Sequence, residues 1–222
     1  MAQRWHDLLF AHWPLPVQAL RPLLPPALPI DTFDGVAWLG IVPFRMSGVR
    51  ARWLPPLPGL SAFPELNVRT YATLDDRPGV WFLSLDAASR LAVWTARRLF
   101  RLPYVHARMA CRRRDGWVRY DSRRPGGVFQ GAYRARGAAA PSAPGSLGHF
   151  LTERYCLYAA DGRGRLYRGE IDHPPWRLAP AELVAEVNTM AEAHGLRLPP
   201  APPLLHLAED QRVRIWSLQA LG

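Results

Sequence analysis

Apolar and polar residues alternate along much of this chain. The runs at 36–46, 65–74, 79–85, 104–113, 117–124, 127–135, 149–159, 165–171 and 212–219 read as strands, each bounded by Gly, Pro or Asp clusters. Three stretches show helical spacing instead. Pro16 to Leu24 is a short amphipathic segment between prolines. Ala87 to Phe100 carries Leu91, Trp94, Arg98 and Leu99 at helical intervals, with Asp86 placed to cap its first turn and Pro103 beyond its end. Pro180 to His194 carries Leu183, Val184, Val187, Met190 and Ala191 as a stripe, with Pro180 in the first turn and Gly195 as terminator. These stripes are expected to face the core. Nine strands and few helices predict an α+β fold, mainly antiparallel β, in a closed or nearly closed barrel with about three flanking helices.

The turns refine this picture. Arg114-Asp115-Gly116-Trp117 predicts a two-residue type I′ hairpin, because Asp-Gly tolerates positive φ at both central positions. That register sets Arg112 opposite Arg119 and Arg108 opposite Arg123 on one face, leaving Met109, Cys111, Val118 and Tyr120 for the core. Opposed arginines repel, so their face is expected to be solvated or to hold an anion. A second hairpin is expected to turn at Ala160 to Gly164. Residues 137–147 read as a mobile loop and 198–203 as a proline-rich connector.

Composition bounds the function. The 222 residues are 49% hydrophobic, which suits one large domain over 1–222. The polar start Met-Ala-Gln-Arg-Trp-His-Asp has no signal-peptide pattern, so a soluble cytoplasmic protein is expected. Cys111 and Cys156 form no metal-ligand spacing and read as free thiols. All 28 basic residues are arginine. Residues 97–136 hold 12 of them against only Asp115 and Asp121, so the whole net charge of +10 lies in that segment. A GC-rich coding bias with a solvated edge explains this, as does a surface for a small anion or partner; nucleic acid is not expected.

Several segments carry a resemblance. Trp5 with Leu8-Leu9-Phe10-Ala11-His12-Trp13, then Leu24-Pro25, Asp31-Thr32-Phe33-Asp34-Gly35, Phe63-Pro64-Glu65-Leu66-Asn67-Val68-Arg69-Thr70-Tyr71, Leu85-Asp86-Ala87, Leu102-Pro103-Tyr104 and His173-x-x-Trp176 resemble the YqjF-like family of unknown function. That family is similar in turn to acetoacetate decarboxylase, which implies a mixed barrel whose interior pocket holds a catalytic lysine with supporting acids and an arginine. Glu65 stands where the superfamily has a glutamate at a strand start. Tyr104 stands where the Schiff-base lysine follows a proline. A phenol forms no iminium with a ketone, so decarboxylation by the family's route is excluded.

The remaining candidates follow from strand geometry. Glu65, Asn67, Arg69 and Tyr71 share one face of 65–73, and Leu66, Val68, Thr70 and Ala72 the other. If the polar face points inward, Arg69 can fork a carboxylate, Glu65 can act as a base raised toward neutrality, and Tyr104 can donate to a carbonyl or enolate oxygen. The alternative is an internal Glu65–Arg69 salt bridge beside an ordinary tyrosine. His106 points the same way as Tyr104, and Arg21 falls near the superfamily's pocket arginine; both are ligand-binding candidates with Arg69 and Asn67. His173 reads as a turn anchor. No HxxxH or HxH spacing, phosphate loop or GxSxG occurs, so no metal or cofactor is expected. Two functions stand. One is an enzyme without a Schiff base, a lyase, dehydratase or isomerase acting on a keto acid or related carbonyl or carboxylate. The other is a non-catalytic barrel binding a ligand or protein through its arginine hairpin. The expected partner is a small carboxylate or carbonyl ligand, with no membrane and with a homodimer left open.

Overall fold

The computed structural model describes residues 1–50 and 61–221. Its strands are β1 (Ala2–Leu15), β2 (Ala37–Arg50), β3 (Phe63–Leu74), β4 (Arg77–Ala87), β5 (Tyr104–His106), β6 (Arg108–Arg114), β7 (Trp117–Arg124), β8 (Gly127–Ala135), β9 (Ala140–Pro141), β10 (Cys156–Ala160), β11 (Leu166–Asp172), β12 (Arg177–Asn188), β13 (Leu204–Ile215) and β14 (Gln219–Ala220). The α-helices are α1 (Val17–Leu20), α2 (Arg90–Phe100) and α3 (Leu147–Thr152).

Seven strands form a nearly closed ring in the order β1, β2, β3, β4, β10, β11, β13. Most neighbours are antiparallel. The β4–β10 contact is parallel and short, and β11 meets β13 only through Ile171↔Ile215 and Asp172↔Arg214. From β13 the sheet continues through β12, β8, β7 and β6. This second layer lies across the outer face of the ring. The core between the layers joins Leu9, Ala11, Leu39, Ile41, Leu66 and Val68 of the ring to Val118, Tyr120, Phe129 and Tyr133 of the layer. Phe10, Val42 and Phe44 point to the other face, as do Tyr71, Leu85, Leu157 and Val213 from around the ring. The ring strands are therefore buried on both faces, and β1, where Leu8-Leu9-Phe10-Ala11 is apolar on both, reads as a continuous rather than an alternating run.

Several expectations need correction. No strand was expected over β1, because Leu8-Leu9-Phe10-Ala11 gives no period of two when both faces are buried. The helix expected over Pro180 to His194 is instead β12 and a 3-10 turn at Glu192–His194, which Gly195 ends with φ 72°. Its apolar spacing also fits a strand: Ala181 and Leu183 pack inward while Glu182 and Glu186 face out to Arg134, Arg136 and Arg119. The exposed edge of β8 supplies the partner that decides for the strand. The 149–159 run divides into α3, capped by the Ser146 hydroxyl accepting from His149 N–H, and β10. The 212–219 run divides into the end of β13, which begins at Leu204 and stops at Ile215, and the start of β14 at Gln219. The loop expected at 137–147 contains β9, paired with β12.

Helix α2 is present, but Ser89 rather than Asp86 caps it, accepting from Ala92 N–H at 3.2 Å. Its stripe is not core. Leu91, Trp94 and Leu99 are 51%, 61% and 64% exposed, while Val93 is the residue α2 buries. The arginine hairpin matches its expected register, with Arg112↔Arg119 and Arg108↔Arg123. Asp115 and Gly116 both have positive φ, as a type I′ turn requires. Among the described residues, no helix is long and apolar enough to cross a membrane.

Candidate functional site

The inner face of the ring gathers polar side chains among apolar ones. On β3, Glu65, Asn67, Arg69 and Tyr71 are all buried, and so are Leu66, Val68, Thr70 and Ala72 on the opposite face. The polar face is thus interior. Strand register aligns Phe44, Glu65, Ala87 and His106 in one row across β2 to β5, with Asn67, Leu85 and Tyr104 in the next. One row further, His12, Gly40 and Arg69 lie side by side on β1, β2 and β3. Gly40 is small for a reason: a Cβ there would come within 3.2 Å of the His12 ring and 3.3 Å of Arg69 Cγ. Its missing side chain gives both larger groups room over the sheet.

Glu65 and Tyr104 meet directly, the Tyr104 hydroxyl donating to Glu65 Oε2 at 2.8 Å. Burial pushes the Glu65 carboxyl up to about 8; the Tyr104 bond opposes that rise, and Asp86 adds to it. Glu65 is therefore largely protonated at neutral pH. Burial also raises the Tyr104 phenol well above its ordinary value, reinforced by the charge of Glu65. Asp86 itself lies on the other face of β4, where Arg124 Nε and the Ser122 hydroxyl donate to its carboxylate at 2.6 and 3.0 Å. It does not have the capping role, which Ser89 fills.

Arg69 makes no salt bridge with Glu65 or any other described carboxylate. Its hydrogen bond goes from Nη2 to Leu151 O at a long 3.4 Å, and its buried Nε bonds nothing in the protein. The guanidinium carbon sits 5.2 Å from the Phe10 ring centre and 5.7 Å from that of Tyr71. Buried charges are ordinarily paired, because desolvating one costs several kcal/mol. Other interior polar atoms share this condition: Asn67 Oδ1, His12 Nδ1, His206 Nδ1 and the indole nitrogens of Trp5 and Trp176 have no hydrogen-bond partner among the described residues. Trp5 and Trp176 stack at 6.1 Å, with Phe44 and Phe10 against them.

Sequence reasoning singled out Glu65, Asn67, Arg69 and Tyr104, and the fold brings these four to one interior. Arg21 is elsewhere engaged, donating to the carbonyls of Leu24, Pro25 and Leu28. His106 opens onto a groove under α2 with Val93, Trp94 and Arg97. His173 faces Tyr155 and Trp176 and lies within hydrogen-bonding distance of Pro174 O, as a turn anchor would. His12 was missed. It is fully buried, sits 2.6 Å from the Tyr71 hydroxyl, and is held neutral by burial, then by Arg69 and His206. The available signal was that strand spacing puts it on the Phe10 face, but this shows only once β1 is known to be a strand. Among the described residues, no three His, Cys, Asp or Glu side chains cluster as metal ligands.

Comparisons with known proteins fit this geometry. A family model, DUF2071, described as an uncharacterized conserved protein, matches residues 2–212. The uncharacterized protein YqjF of Bacillus subtilis (strain 168) is 46% identical over 222 residues, covering 99% of this chain and 91% of its own. Among solved structures, the enduracididine biosynthesis enzyme MppR complexed with pyruvate matches with a TM-score of 0.70 at 12% identity, over 100% of this chain and 90% of that one. Acetoacetate decarboxylase from Legionella pneumophila matches with a TM-score of 0.67 at 11% identity, over 100% and 88%. Identity that low speaks for the fold alone.

Proposed function

We propose that this chain, which belongs to the DUF2071 family of YqjF-like proteins, uses its acetoacetate-decarboxylase-like interior to bind a small keto acid or related carboxylate and to catalyse proton transfer beside its carbonyl. The observation that carries this reading is Arg69, a buried guanidinium with no described carboxylate to neutralise it. A ligand carboxylate would supply the missing partner through a forked pair of charge-assisted bonds. Glu65, protonated at neutral pH, would then donate to the carbonyl oxygen. The carboxylate left behind, held by its hydrogen bond from Tyr104, would take up the α-proton as the enol forms, so that Glu65 ends protonated again. Enolisation, dehydration and retro-aldol chemistry all pass through such an intermediate, and none of them needs a lysine. The neighbouring fold includes an enzyme solved with pyruvate bound, a ligand whose charge would suit Arg69.

A second reading, a non-catalytic binder, draws on the same Tyr104–Glu65 bond, because it satisfies each group with the other. Calorimetric titration with pyruvate, joined to proton NMR of pyruvate methyl exchange in deuterated buffer, separates the two. Binding that Arg69→Gln weakens tenfold or more, with exchange that Glu65→Gln slows by about 10²-fold or more, supports the enzyme. Binding without exchange would leave a binder. If pyruvate, acetoacetate and 2-oxobutyrate all fail to bind, the keto-acid reading falls.

A further inference from the structure

A groove of about 590 Å³ runs along α2 and is lined by Arg90, Val93, Trp94, Arg97, Arg98 and His106. It contains no acidic side chain, and none of its three arginines forms an ion pair with a described carboxylate. Arg97 Nε instead donates to Tyr104 O at 2.5 Å, and Arg98 lies over the Trp94 ring at 5.9 Å. The segment that holds the chain's whole charge excess therefore begins at a concave, acid-free surface.

The sheet register aligns this groove with the interior. His106 is opposite Ala87, and Ala87 is opposite Glu65, so the three share one face of the sheet. Strand spacing puts Glu65 and His106 on the order of 10 Å apart. The residue between them is Ala87, a single methyl group buried in the cluster that also holds Phe44 and Val93 of the groove wall. Arg97 grips the backbone of Tyr104, whose hydroxyl meets Glu65.

We propose that this groove is the anion-binding mouth of the interior site, and that the ligand carries a second anionic group, carboxylate or phosphate, on the order of 10 Å from the carbonyl held at Glu65. This rests on the reading of the interior as a carboxylate site and narrows its substrate class to elongated dianions. The apolar wall of Val93 and the Trp94 face would cover the linking chain, and Arg90, Arg97 and Arg98 would take the far charge.

Calorimetry with two matched acids tests this. 2-Oxosuberate and 2-oxooctanoate have the same chain length, and only the first has a distal carboxylate. At low salt, 2-oxosuberate is expected to bind at least tenfold more tightly. The double variant Arg97→Gln/Arg98→Gln should erase that preference, while Arg69→Gln should weaken both acids alike. Equal affinities in the unaltered protein, or a preference that survives in the double variant, would overturn the proposal. Inorganic pyrophosphate checks the groove separately. It should bind the unaltered protein and Arg69→Gln alike, and the double variant at least tenfold less tightly. Pyrophosphate binding without binding of either oxo acid would sink the interior reading and leave an isolated anion groove, which overturns its assignment as a mouth. Absence of pyrophosphate binding would remove the groove itself as an anion site.

Discussion

Glu65→Gln isolates the cost of burying one carboxyl inside the ring. The folded-state pKa of Glu65 is about 8 against an ordinary 4.5, and the cause is burial. Below pH 4.5 the folded and unfolded chains both hold the proton, and the group has no effect. Between 4.5 and 8 the unfolded chain gives up its proton while the folded chain keeps it, so stability falls as pH rises. At about 1.4 kcal/mol for each pH unit, the loss is on the order of 5 kcal/mol by pH 8 and is complete above it. Glutamine has the same shape, accepts the Tyr104 hydrogen bond through its carbonyl oxygen and does not titrate. Urea unfolding of both proteins at pH 5, 6.5, 8 and 9 should therefore give near-equal stabilities at pH 5 and a variant more stable by several kcal/mol at pH 9. Taking the difference between the two proteins cancels every other titrating group. A difference that stays flat from pH 5 to 9 would refute the reasoning, since it would mean that Glu65 ionises inside the fold as readily as outside it.

Other perturbations follow from the same geometry. Tyr104→Phe removes the bond that opposes the rise at Glu65, so the falling limb of stability should move to higher pH, with a cost of about 1 kcal/mol at pH 5. Arg124→Ala strips the partner from the fully buried Asp86 and should cost about 3–5 kcal/mol at pH 7 by urea unfolding, with Asp86→Asn in the same background recovering part of it. Gly79→Ala should destabilise by about 1–3 kcal/mol or more, because the new methyl would lie 2.6 Å from Cys156 Sγ and 2.9 Å from the Cys156 carbonyl, where β4 and β10 meet. Thermal melts that match the unaltered protein would discount that contact.

What the sequence disclosed depended on whether the two faces of an element differ in polarity. The hairpin at Asp115-Gly116 was legible to the register, since its arginines face solvent and its core side alternates with them. β3 was legible as a strand and in its polar face, which singled out Glu65, Asn67 and Arg69, whereas Tyr104 was picked out by the family resemblance. β1 was not, because a strand buried on both sides has no alternation to read. Its loss concealed His12. β12 was misread because Leu183 and Val187 satisfy two periods at once, and the edge of β8 that selects between them is some 50 residues away in sequence. The Leu91, Trp94 and Leu99 stripe shows the reverse error: helical spacing was right, but the amphipathic rule assigned its apolar side to the core, and the structure exposes it.

The placement of β1 also bears on how the molecule comes into being. Each edge of this strand is hydrogen-bonded, one to β2 and the other to β13, whose partner residues lie about 190 positions or more further along the chain. During synthesis β1 leaves the ribosome before the other strands of its sheet, and one of its edges stays unpaired until β13 has been made. Ring closure is thus a late event. Ribosome-stalled chains ending before Leu204 should remain protease-sensitive throughout β1 and β2 and gain protection together once β13 has emerged. Protection acquired strand by strand would instead show that the N-terminal half of the sheet stands without its closing partner.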